Sequence, residues 1–200
     1  MKVYLAGPEV FLPNAREQLD RKIALTRAAG LVPVSPGDLT IPETPTKRER
    51  GLAISAIDEQ LMHSADAIIA NLTPFRGIAA DTGTVFELGF MCGRGKLAFA
   101  YSNTAADHFS RTSDYYGGMV ALRADGHVRS PDGMLLEDFD MTENLMLDGG
   151  VESRGGRVIV RDVPPERLYA DTAAFEECLR LLAAAGSRPI VPPAIAAPDS

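Results

Sequence analysis

The stretch Asp66-Ala-Ile-Ile-Ala-Asn71, followed by a loop and then Asp81-Thr-Gly-Thr-Val-Phe-Glu-Leu-Gly89, decides how the chain folds. Its first part is an apolar run bounded by polar residues, the pattern of a buried strand. The loop from Leu72 to Ala80 carries Pro74 and Gly77, which break regular structure. The second part reads as the first turns of a helix ending at Gly93 or Gly95. In an open α/β sheet a ligand sits outside the carboxyl ends of the strands. Asp81 and Glu87 therefore fall where a ligand would lie. Phe86, Leu88 and Phe90 imply partial burial of Glu87, which raises a carboxyl pKa unless a donor compensates. Taken alone, the plainer reading leads: Asp81 as a helix N-cap, Glu87 as an exposed residue on a good helix former.

Outward from this stretch, Lys2-Val-Tyr-Leu-Ala6 reads as a first strand ended by Gly7-Pro8. Gly7 lets the backbone approach a ligand closely, and Pro8 fixes the turn. A helix follows from about Asn14 to Ala29, closed by Gly30. Leu31 to Val34 is a short second strand, and Pro33 assigns it to an edge. The loop 35–45 follows that strand and carries Asp38 at the ligand end. A helix from about Thr46 to Ser64 places Leu52, Ile54, Ala56, Ile57 and Leu61 on an inner face, with Asp58 beside them. Lys96 to Tyr101 is a fourth strand. The β-α-β-α-β-α-β alternation predicts a parallel sheet with right-handed crossovers. The fold class expected is α/β, a flavodoxin- or Rossmann-like three-layer sandwich with a mainly parallel central sheet.

Ser102 to Phe139 is polar and rich in Gly and Asp. It reads as a long excursion with little regular structure, open to a hairpin or a flap, and loops of this length are functional or disordered. Met141 to Met146 reads as a helical segment stopped by Gly149-Gly150. Asp171 to Ala185 is a final amphipathic helix with Phe175, Cys178, Leu179 and Leu182 inward. Residues 1–187 are expected to form a single catalytic domain, and 188–200 a Pro-rich tail.

Composition narrows the chemistry. The 200 residues are 46% hydrophobic and 24% charged, an ordinary globular balance. A net charge of −7 without a basic patch argues against a nucleic-acid partner. Cys92 and Cys178 form no CxxC, and His63, His108 and His127 have no ligand spacing, so no metal is expected. No apolar run reaches membrane-spanning length, and Met1 to Pro8 is too short for a signal segment, so a cytoplasmic protein is expected. GxGxxG, the phosphate-loop pattern and GxSxG are all missing, so no nucleotide cofactor and no serine nucleophile are expected. What remains is a set of carboxylates at strand ends, Asp38, Asp58, Asp81 and Glu87, with Tyr4 on strand one. Carboxylate sets serve glycosidic chemistry: one attacks the anomeric carbon, another moves a proton at the leaving group. A Glu nucleophile in an apolar pocket needs a donor to stay ionised; Tyr4 reads either as that donor or as a core aromatic with its hydroxyl at the rim.

At this point the sequence resembles the nucleoside 2-deoxyribosyltransferases. The matching pieces are Val3-Tyr-Leu-Ala-Gly-Pro-Glu-Val-Phe11, Ile57-Asp58, Asp66-Ala-Ile-Ile-Ala-Asn-Leu-Thr-Pro-Phe-Arg-Gly77, Asp81 to Gly89, and Asn144-Leu-Met146. The Asp-x-Gly-Thr-x-x-Glu-Leu-Gly block is the most specific. The resemblance implies exchange of the base of a 2′-deoxynucleoside through a glycosyl-enzyme intermediate. It implies Glu87 as nucleophile on C1′ and Tyr4 as the residue that orients it. Asp58 and Asp81 become alternative proton donors to the base, Asp38 a loop residue near the base, and Phe11 a ring that stacks on it. Asn144 would hold the 5′-hydroxyl from a neighbouring subunit, with Met146 beside it, which implies a homo-oligomer with shared sites. The substrates implied are 2′-deoxynucleosides and free nucleobases. Two further readings are an N-glycosidase acting on nucleoside 5′-monophosphates and a non-catalytic nucleotide-sensing module.

Overall fold

The computed structural model describes residues 1–36 and 40–185. Asp38 and the 188–200 tail lie outside these described residues. The elements are β1 (Lys2–Ala6), α1 (Ala15–Ala28), β2 (Val32–Val34), α2 (Lys47–Ser64), β3 (Ala67–Asn71), α3 (Thr82–Gly93), β4 (Leu97–Ser102), α4 (His108–Tyr115), β5 (Ala121–Leu122), β6 (Val128–Arg129), α5 (Leu145–Glu152), β7 (Val158–Val160) and α6 (Ala173–Ala185). A 3-10 turn, Pro8–Phe11, follows β1.

Five strands make one parallel sheet in the order β2-β1-β3-β4-β7. This is the flavodoxin-like order, with the strand sequence reversing between β1 and β3. The edge position of β2 follows from Pro33, which donates no ladder hydrogen bond. Side chains alternate across the sheet, as strand geometry requires. Tyr4, Ala6, Ile68, Ala70, Ala98 and Ala100 face one way, against Met62 of α2, Leu88 and Met91 of α3, and Val151 of α5. Val3, Leu5, Ala67, Ile69, Leu97 and Phe99 face the other, against Ile23 of α1 and Phe175, Cys178, Leu179 and Leu182 of α6. The three-layer sandwich expected from the alternation is the one observed. Each large aliphatic side chain buried this way contributes roughly 1.5–3 kcal/mol.

Local signals account for the helix starts. Thr46 accepts from the Glu49 N–H and donates to its carboxylate, a reciprocal cap that opens α2. Asp81 accepts from both the N–H and hydroxyl of Thr84, so the N-cap reading of Asp81 is met.

Four expectations need correction. The apolar face of α2 meets the core only at its C-terminal end: Met62 is buried and Leu61 packs against the core, whereas Leu52 is exposed. Ile54 and Ile57 instead line an open cleft over β1 and α3. The excursion after β4 forms the hairpin that its sequence left open, β5–β6, but also the helix α4, so it holds more regular structure than expected. Arg111 organises it, donating to the carbonyls of Ile78, Ala106 and Thr142 and pairing with buried Glu143 at 2.5 Å. The segment 141–144 is not helical, because Asp148 accepts from the Thr142 and Glu143 N–H groups and Asn144 caps α5. Gly149 and Gly150 then lie inside α5, where the Gly150 carbonyl accepts from the Cys92 thiol. The fifth strand, β7, was not anticipated. It enters after Gly156, where a Cβ would stand 1.6 Å from the Ala98 carbonyl oxygen, so only glycine lets the chain reach the sheet there.

Candidate active site

The carboxyl ends of β1 and β3 and the start of α3 meet in one place. Tyr4 is fully buried on β1, and its hydroxyl donates to Glu87 Oε1 at 2.6 Å. Glu87 sits in the second turn of α3, so its carboxylate reaches back over the sheet toward β1. Burial pushes its pKa up; the Tyr4 hydrogen bond pulls it down, and the charges of Asp58 and Asp81 raise it further, leaving it at about 7. Burial likewise holds the Asp58 carboxyl above the usual range. Burial, and then the Glu87 charge, drive the Tyr4 hydroxyl far above its ordinary value, so it stays a donor at every working pH.

Glu87, Asp58 and Asp81 open onto a cleft of about 550 Å³, large enough for a small ligand. Gly7 and Phe11 line it as well, with apolar walls from Leu5, Leu19, Ile54 and Ile57. None of its described lining residues is a lysine or arginine. Of the residues singled out in the sequence, Glu87, Asp58, Asp81, Gly7 and Phe11 are thus brought together, with Tyr4 directly behind Glu87. Asn144 and Met146 are not among the lining residues. Asn144 caps α5, accepting from the Met146 N–H, and donates to the Glu137 carboxylate. Met146 is 72% exposed at the start of α5.

Three neighbours of the cleft escaped the sequence reading. Arg76, in a left-handed backbone conformation, lays its guanidinium over Phe11 and Phe75, whose rings are stacked 5.6 Å apart. Glu9, in the turn that carries Phe11, is buried against Lys22. A signal for the last was available: Lys22 falls in phase with Leu19, Ile23 and Thr26, so a cation lies on the buried stripe of α1 and requires an anionic partner.

The model of the family described as nucleoside 2-deoxyribosyltransferase matches residues 3–146. The chain belongs to the nucleoside 2-deoxyribosyltransferase family. The 2-desoxiribosyltransferase of Leishmania mexicana is 30% identical, with 88% of this chain and 97% of that one covered at a TM-score of 0.57. An uncharacterized protein of Schizosaccharomyces pombe is 31% identical over 169 residues, which cover 79% of this chain and 80% of its own length. A conserved protein from Enterococcus faecalis shares the fold at 16% identity and a TM-score of 0.54, covering 91% of this chain and 98% of that one. The family match spans β1 through the Asn144 cap. All the described residues of the cleft therefore lie within the part shared with the nucleoside 2-deoxyribosyltransferases. Among the described residues no cluster of His, Cys, Asp and Glu is arranged to hold a metal, and no helix is long and apolar enough to cross a membrane.

Proposed function

We propose that this chain exchanges the base of 2′-deoxynucleosides through a covalent deoxyribosyl–Glu87 intermediate. The observation that carries this reading is the hydrogen-bonded Tyr4–Glu87 pair, opening with Asp58 onto one cleft. Ionised Glu87 attacks C1′ as the N-glycosidic bond breaks, and the bonding pair leaves with the base nitrogen. Asp58 delivers a proton to the departing base. It is favoured over Asp81 because burial helps it keep its proton, whereas Asp81 is committed to capping α3 through Thr84. In the second half a new base attacks C1′, the bond to Glu87 breaks, and the incoming base returns its proton to Asp58. Tyr4 holds Glu87 in register throughout and stabilises its ionised form.

The lining favours an uncharged nucleoside. The described lining holds three carboxylates and neither lysine nor arginine, and the nearby Arg76 is engaged over Phe11 and Phe75, so the cleft disfavours a 5′-phosphate, which demands Arg, Lys or several N–H donors. A neutral 5′-hydroxyl suits Asn144, delivered from a neighbouring copy as the family resemblance implies. Exposed Met146 and Phe86 are consistent with that covered face, since Phe86 stands next to Glu87 on α3 and is 62% exposed. The test is a base-exchange assay with each of the four 2′-deoxynucleosides and a different free base. Formation of the exchanged nucleoside supports the reading. Release of free base with water as the sole acceptor, and no exchange, replaces it with hydrolysis.

A further inference from the structure

The turn that carries Gly7 and Phe11 rests on a charged cluster within the fold. Glu9 is 2% exposed, and its Oε1 accepts from Lys22 Nζ, from Asn71 Nδ2 at 2.6 Å and from the Tyr101 hydroxyl at 3.2 Å. These donors come from α1, the end of β3 and β4, so one carboxylate ties three elements to the turn. Lys22 is itself buried, 5.2 Å from the ring centres of Tyr101 and Phe175. Asn71 is held in turn, accepting from the Thr73 N–H. Gly7 closes over the cluster: a Cβ there would stand 2.1 Å from Glu9 Oε2 and 3.0 Å from Asn71 Cβ. Because Glu9 is held by three donors, it has little freedom to yield.

Stability does not explain such a cluster. A buried ion pair is often matched or bettered by apolar side chains of similar volume, since desolvating both charges offsets their attraction. A salt bridge with added hydrogen bonds does, however, define direction in a way that apolar packing does not. Here the direction is that of the Pro8–Phe11 turn, whose outer end places Phe11 in the cleft at 52% exposure.

We infer that Glu9, held by Lys22, Asn71 and Tyr101, is a positioning residue that sets the Gly7–Phe11 turn as a rigid platform for the nucleobase. Glu9 touches no reacting atom; it acts through Phe11 and the backbone of Gly7. The inference rests on the base-exchange reading of the same cleft. It predicts that loosening the turn harms capture of the base and leaves attack by Glu87 on C1′ nearly intact. Transfer to a base then suffers more than transfer to water, because water needs no stacking platform.

The test replaces the ion pair with apolar residues, Glu9→Met together with Lys22→Met, which leaves no lone charge buried. A second variant, Tyr101→Phe, removes one donor without changing charge. Three quantities are read for each: the dissociation constant of a free base by calorimetry, KM and kcat for base exchange, and the rate of nucleoside hydrolysis. The paired variant is expected to fold, with base affinity weakened and KM raised about tenfold or more, while the rate of hydrolysis at saturating nucleoside changes little. Tyr101→Phe is expected to raise KM about two- to fivefold at unchanged kcat, because one long hydrogen bond to the Glu9 carboxylate is lost while two donors remain. Wild-type affinity and KM in both variants overturn the inference, as does a parallel loss of exchange and hydrolysis. Should the paired variant fail to fold, Tyr101→Phe alone decides. If the wild-type protein binds bases but exchanges none, the base-exchange reading falls and the anchor is judged on affinity alone. If it binds no base, both fall.

Discussion

Replacing Glu87 with Gln separates what the carboxylate costs the fold from what it does for chemistry. The side chain keeps its shape and still accepts from Tyr4, but it loses its charge. In the native chain its pKa stands at about 7 against 4.5 in water, chiefly because the cleft desolvates it. For a carboxyl whose folded pKa is raised, stability is full below the unfolded value and is lost as pH rises through the folded value. The window is therefore pH 4.5 to 7, and the whole penalty is present by pH 8. The lift corresponds to about 3 kcal/mol of ionisation cost at 1.36 kcal/mol per pH unit. Glu87 remains partly open to the cleft, so screening reduces this to about 1–3 kcal/mol. Glu87→Gln should thus unfold at higher urea than wild type at pH 8, by about 1–3 kcal/mol, and almost together with it at pH 5. Thermal melts should agree, at about 2–4 °C per kcal/mol for a chain of this size. Base exchange by the same variant should fall by roughly 10⁴-fold or more. A stability difference that does not change between pH 5 and pH 8 would refute the argument that an ionised, desolvated Glu87 strains this cleft.

Three other outcomes follow from the same geometry. Tyr4→Phe removes a hydrogen bond that holds the Glu87 pKa down, so the rise of kcat/KM with pH, centred near 7 in wild type, should move to higher pH. An unmoved profile would separate Tyr4 from Glu87 ionisation. Asp58→Asn should cost about 10²–10⁴-fold in kcat, the scale of a lost proton transfer, while Asp81→Asn costs less; the reverse order would make Asp81 the donor. Mixing inactive Asn144→Ala and Glu87→Ala chains, after dissociation and reassembly, should restore exchange if each cleft borrows Asn144 from a neighbour; no recovery would place Asn144 outside the shared site.

Much of this fold is legible because its strands and helices differ sharply in pattern. Ala67 to Asn71 and Leu97 to Ser102 are short apolar runs closed by polar residues, and parallel strands buried on both faces have that signature. The helix starts at Thr46 and Asp81 announce themselves by capping side chains. Val158 to Val160 was missed because three residues carry too little periodicity, and the reason they join the sheet is the glycine contact at Ala98, which is tertiary. The α2 face was misjudged for a related reason. A helical stripe of Leu and Ile looks the same whether it meets a core or a ligand cleft, and only the fold tells which.

The site divides along similar lines. Tyr4, Glu87, Asp58 and Asp81 were reached through the motif set, the Asp81–Gly89 block above all, because each residue alone reads equally well as a cap, a core aromatic or a helix-surface residue. Arg76 was not, because its placement over Phe11 depends on a left-handed backbone at residue 76. Asn144 and Met146 are the instructive case. The single chain places them at the exposed start of α5, away from the cleft lining, so their proposed role rests on a second copy.

The claim at the centre is that Glu87 carries the sugar. Intact-protein mass spectrometry after brief incubation with a 2′-deoxynucleoside, followed by peptide mapping, tests it most directly. A mass increase of one deoxyribosyl group is expected on the peptide containing Glu87, discharged when a free base is added and never formed by Glu87→Ala. An adduct on another residue, or base exchange that survives in Glu87→Ala, would contradict it.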